Sequence, residues 1–174
     1  MNRLDVSEKL IDNAENAAGV PVRTRGSGDH STPVVLVTAP EVDPRGKGNS
    51  AKNGTYDETG DGTPDGIEFK YTYEGRATIE ARSHDEVESY QLAKAVYDEL
   101  ALYEEYPTSF HSGMNDFERG KIEPGGFQGP TPEPIYKHKF SVGIDYSEIQ
   151  QVPFNEDTGE PIENIDTEVN DNTI

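Results

Sequence analysis

The chain contains no cysteine and no tryptophan, two methionines, and only 15 lysines and arginines among its 174 residues. Without cysteine there is neither a disulfide frame nor a thiolate metal site. The shortage of cations beside 34 acids argues against wrapping nucleic acid, because phosphate contact needs clustered Lys and Arg. Apolar residues are also scarce at 32%, which is thin for a self-sufficient core of this length. A chain this lean completes its core most readily against copies of itself. No run approaches the ~18 consecutive apolar residues of a membrane span. The opening MNRLDVSEKL lacks the apolar h-region of a signal peptide. The sequence therefore predicts synthesis in the cytoplasm and no membrane partner.

What is abundant is acid, for a formal net charge of −19. Self-repulsion on that scale strains a compact fold in dilute buffer. In molar salt the Debye length falls to roughly 3 Å and the repulsion largely disappears. The rival reading of such a composition is disorder. Strand and helix patterns survive through most of the chain, so the expectation is a halophilic, salt-adapted globule spanning residues 1–152. Residues 153–174 are expected to be an acidic flexible tail or arm; from Asn155 onward they hold seven acids, no base, and only Ile162, Ile165, Val169 and Ile174 as anchors.

Leu4, Leu10, Ile11, Ala14 and Ala18 fall near helical spacing, which predicts a helix over residues 4–17, stopped by Gly19 and Pro21. Residues 22–32, with Arg23 and Arg25, read as a connector. Val34, Val35, Leu36 and Val37 make a continuous apolar run, the mark of a strand buried on both faces. Residues 42–66 are nearly devoid of apolar side chains and read as a long loop. Ile67, Phe69, Tyr71 and Tyr73 then alternate with polar residues, and so do Ala77, Ile79 and Ala81. With Glu74-Gly75 between them as a turn, these runs predict an antiparallel hairpin. Ser83 with Glu86 reads as a capping box. The stripe Val87, Tyr90, Ala93, Val96, Leu100 and Tyr103 follows as a core-packing helix that Pro107 ends. Residues 104–135 form a second long connection, and residues 136–146 a final strand with Tyr136, His138, Phe140, Val142, Ile144 and Tyr146 on one face. The expected class is α+β, an antiparallel sheet of about four strands packed on two helices.

The sharpest local motif is residues 57–68. Read as a twelve-residue cation loop, it places Asp57, Thr59, Asp61, Thr63, Asp65 and Glu68 at the ligand positions, with Gly62 at the sharp turn. That would suit Ca²⁺ or Mg²⁺, although Thr59, Pro64 and the strand that follows depart from the usual pattern. The bland alternative is an Asp/Gly-rich turn. The four histidines, His30, His84, His111 and His138, have no partners at ligand spacing, and structural roles are expected. There is no GxSxG elbow, no phosphate-cradling loop and no dinucleotide fingerprint, so the sequence nominates no enzyme and no catalytic residue. Phe110, Met114, Phe117, Ile122 and Phe127 punctuate the second connection. They either close over the chain's own core or anchor an adjacent subunit.

In element order, and above all in IEFKYTYEGRATIEARSHDEVESYQLAKAVYDEL and KHKFSVGIDY, the chain resembles the tail terminator (tail completion) proteins of long-tailed viruses. The resemblance runs through residues 4–18 and 33–146 and rests on pattern, not on a short motif. It implies a small α+β virion protein of the neck, acting in a homo-oligomeric ring of about six copies that caps the tail tube. Its partners would be the tail-tube protein and the neck connector or adaptor. Composition adds the expectation of a salt-loving archaeal host. The charged sheet face with Lys70, Arg82, Lys137 and Lys139 would meet a neighbour or line the lumen, through which DNA would slide without sequence-specific binding. Two alternatives stand beside this reading. One is another neck or tail subunit, a head–tail connector or tail-tube-like protein; the other is a calcium-dependent binding module using residues 57–68.

Overall fold

Helix α1 (Arg3–Ala18) ends at Gly19, whose φ of +62° is a left-handed conformation that glycine adopts without steric penalty. This is the first element of a computed structural model that describes residues 3–25, 31–44, 50–128 and 133–154. Side chains are described for the same residues except 3–5, 39–44, 50–51 and 127–128. The expected tail beyond residue 154 and His30 lie outside the described residues.

The chain is α+β, as its patterning predicts. It continues through β1 (Val22–Thr24), β2 (Val34–Pro44), β3 (Ser50–Tyr56), β4 (Gly66–Ser83), α2 (Glu86–Glu99), α3 (Ala101–Glu105), α4 (Pro107–Phe110), β5 (Met114–Arg119), β6 (Glu123–Gln128) and β7 (Ile135–Pro153). Among the described residues seven strands replace the expected four, in the order β1-β2-β4-β7-β5, with β3 on β4 and β6 on β7. The extra strands come from both expected loops and from the connector after α1. β1 pairs parallel with β2, and the other pairings described are antiparallel.

Two compact units divide the chain. Unit 1 comprises residues 1–47 and 72–148, and unit 2 comprises residues 48–71 and 149–174. In unit 1, α1 packs on β2 and α2. Val6, Leu10 and Ala14 join Val35 and Val37 of β2, Ala77, Ile79 and Ala81 of β4, and Phe140, Val142, Ile144 and Tyr146 of β7 in one core. Val34 and Leu36 are buried too, so β2 is covered on both faces as its apolar run predicts. Unit 2 is a small sheet in which, among the described residues, only Gly66 is fully buried. The Tyr56 ring lies against Gly66, where any Cβ would collide with that ring and with the Val152 carbonyl.

Several expectations need correction. The hairpin with a turn at Glu74-Gly75 is one 18-residue strand, with Glu74 paired to Asp43 and Gly75 to Val42. The odd-numbered apolar phase runs unbroken from Ile67 to Ala81, and a two-residue turn would have reversed it. Helix α2 is capped by Asp85, whose carboxylate accepts the Glu88 N–H at 2.8 Å, and not by Ser83. Ser83 instead accepts from the Asp85 N–H and donates to the Glu88 carboxylate. The buried stripe is Ser89, Leu92, Ala93 and Val96, so Val87 and Tyr90 of the expected stripe face outward. Pro107 does not simply end a helix; it opens the short α4 at a first-turn position, where its missing N–H costs nothing.

Candidate functional site

The loop at residues 57–65 connects β3 to β4 in unit 2, and its acids are occupied by backbone. Asp57 accepts the N–H of Gly60 at 2.6 Å and of Gly62 at 2.7 Å, together with the Thr59 hydroxyl. Asp61 accepts the Thr63 N–H, and Asp65 accepts the Glu58 and Thr59 N–H groups. Glu68 leaves the loop along β4 to take the amides of Asn53 and Gln151. Gly60 and Gly62 supply the positive φ values the turn requires. The N–H of Gly62 is the main reason the Asp57 carboxyl sits below its ordinary value, and that of Thr63 does the same for Asp61. Asp57, Thr59, Asp61, Thr63, Asp65 and Glu68 are therefore a hydrogen-bonded turn and not a convergent cage. Among the described residues no group of three or more His, Asp or Glu side chains is placed to share a metal ion. In this turn the short Asp side chains accept from the N–H groups of their own backbone.

The aromatic-studded connection is also resolved in favour of the chain's own core. Phe110, Met114 and Phe117 are at most 3% exposed and belong to the unit 1 cluster, with Ile122 packed against it. Tyr103, Phe110 and Phe117 form a ring cluster with centroids 5.1 to 5.6 Å apart. Docking roles for these residues are withdrawn; the Phe127 side chain lies outside the described residues. Their spacing looked irregular because it is divided among α4, β5 and the segment between β5 and β6.

The cationic residues expected on the free sheet face have different fates. Arg82 is held by Glu80 at 2.6 Å, and both side chains are largely buried beside Leu36 and Val34 of β2. That part of the face is closed. Lys139 is exposed and Lys137 half-buried on β7, and Lys70 is exposed in unit 2.

Three arrangements in unit 1 were not legible beforehand. His138 is buried on β7, 2.7 Å from the Ser89 hydroxyl of α2. Ser89 gives its only proton to the Glu86 carbonyl, so His138 Nδ1 carries the hydrogen and donates it to Ser89. Ser89 itself is fully buried, so the pair fastens helix to sheet and offers no accessible nucleophile. Arg119 stacks on Tyr97 at 4.1 Å, donates to the Tyr97 carbonyl and pairs with Glu104 at 2.6 Å. The guanidinium holds the Glu104 carboxyl below its usual range.

The third is a cavity. β5 and β6 follow the same edge of β7, with Arg119 opposite Val142 and Glu123 opposite Lys139. Residues 120–122 thus face only residues 140 and 141, a bulge that carries one extra residue. Beside it opens a cavity of about 340 Å³ lined by Thr78, Gly120, Lys121, Glu123, Lys139, Phe140 and Ser141.

A scan of protein-family models and a search of curated proteins returned no match for the chain. No helix among the described residues is long and apolar enough to cross a membrane.

Proposed function

We propose that this chain is a structural subunit of a long-tailed virus, forming a ring with its own copies at the head–tail junction. There it terminates the tail tube and docks it to the neck connector. The observation that carries this reading is a set of large apolar side chains left outside on the helical layer of unit 1. Val87 and Tyr90 of α2, Leu102 of α3 and Tyr106 between α3 and α4 are 44 to 62% exposed in a chain with few apolar residues to spare. Aromatic side chains in such positions serve as anchors in subunit contacts. The α+β class and the patterning of residues 67–100 support the same reading through their resemblance to tail terminators, although the expected hairpin is one strand. The acidic surface fits a lumen that offers phosphate few cations, so that DNA slides through it.

Native mass measurement and negative-stain imaging in molar salt test the proposal. The expected result is a discrete closed oligomer, or a monomer that forms rings only on tail tubes. Tyr90→Asp combined with Tyr106→Asp should abolish the ring and leave the fold intact. A wild-type chain that stays monomeric and never binds tubes overturns it.

A further inference from the structure

We propose that the cavity beside the β5–β6 bulge is a binding site for a small oxyanion of phosphate size. All its lining residues belong to unit 1. Lys121 is carried on the bulge, Lys139 and Ser141 project from β7, and Thr78 from β4. Two lysines and two hydroxyl residues thus line one hollow, a set of side chains whose donors suit an anion with several acceptor oxygens. Among the described residues, none of these four side chains is engaged in a hydrogen bond or ion pair.

The backbone keeps the hollow open. Gly120 donates its N–H to the Ser141 carbonyl at 2.8 Å, and a Cβ on Gly120 would lie 2.5 Å from Ser141 Oγ. Any other residue there would push that hydroxyl aside. At about 340 Å³ the space is at the lower end for ligand sites, enough for a phosphate or a short dicarboxylate with its water. Glu123 stands across the ladder from Lys139 and competes with a ligand for its charge. The site is therefore tuned weak, with a formal charge of +1 from Lys121, Lys139 and Glu123.

Phosphate and succinate are titrated in parallel into the wild-type chain by calorimetry, at constant ionic strength near 1 M so that the general acidic field is screened. Saturable binding of either is expected, and the tighter of the two tells whether phosphate or carboxylate is the natural chemistry. Lys121→Ala with Lys139→Ala should weaken binding at least about tenfold, the loss expected for charge-assisted hydrogen bonds. Glu123→Gln should tighten it, an opposite sign that a merely structural disturbance would not produce. The variants' thermal melts should match the wild type, because neither lysine supports another side chain. No saturation in the wild type, or equal binding in the double variant, overturns the assignment.

Discussion

Unit 1 and unit 2 are built on different physics. Unit 1 lays helices over a sheet and buries a cluster that takes side chains from α1, α2, α4 and five strands. Unit 2 draws on the same long strands, β4 and β7, yet leaves Ile67, Phe69, Tyr71 and Val152 only half-buried. Its order comes from ladder pairing of β3 with β4 and from the carboxylate-capped turn at residues 57–65. Alternation of apolar and polar residues therefore does not by itself make a core. It makes a face, and a face yields stability only where a second layer covers it.

The largest expected effect tests that contrast directly. Phe117→Ala in unit 1 empties a site 1% exposed and should cost about 3–5 kcal/mol in denaturant unfolding. Phe69→Ala in unit 2 removes a ring of the same size from a half-buried face and should cost about 1 kcal/mol or less. Equal losses in the two variants, measured at the same salt, would erase the distinction between the units.

The same contrast marks what the sequence could reveal. Periodicity located α1, the core face of β7 and the doubly buried run of β2, because each is a local pattern read out by one packing surface. The odd-numbered phase running through Glu74-Gly75 was visible as well, but turn-forming residues outweighed it. Strand β3, Ser50–Tyr56, carries almost no apolar alternation and forms only because β4 offers it a partner. Val87 and Tyr90 sit at helical spacing yet belong to a row beside the buried one, which only the sheet beneath α2 could decide. The bulge cavity needed the register of β5, β6 and β7 together. For residues 57–68 the ligand-type residues were plain, but their use as acceptors for neighbouring N–H groups was not.

A smaller effect sharpens the picture of how the layers of unit 1 are joined. Ser89→Ala leaves the His138 Nδ1–H buried without an acceptor, which should cost about 1–3 kcal/mol. Ser89→Ala combined with His138→Leu removes both polar partners and should recover part of that loss. A double variant weaker than the sum of the singles would mean that the pair does not act as one fastening.

The smallest effect is confined to unit 2 and depends on pH. Asp57 and Asp61 have carboxyls held below the ordinary value of 3.8 by backbone N–H groups, so folding favours their ionised forms. A group with a depressed folded pKa contributes stability above its unfolded pKa, and that contribution is lost as pH falls through the folded value. The turn should therefore hold at neutral pH and loosen in acid below 3.8. The amide resonances of Gly60 and Gly62 should move with a midpoint under that value, while unit 1 amides remote from titrating groups stay in place. Asp57→Asn keeps a weaker acceptor but removes the charge, so those two resonances should lose most of their dependence on Asp57. A wild-type midpoint at or above 3.8 would mean that the turn is held by its glycines alone, and that the carboxylate merely decorates it.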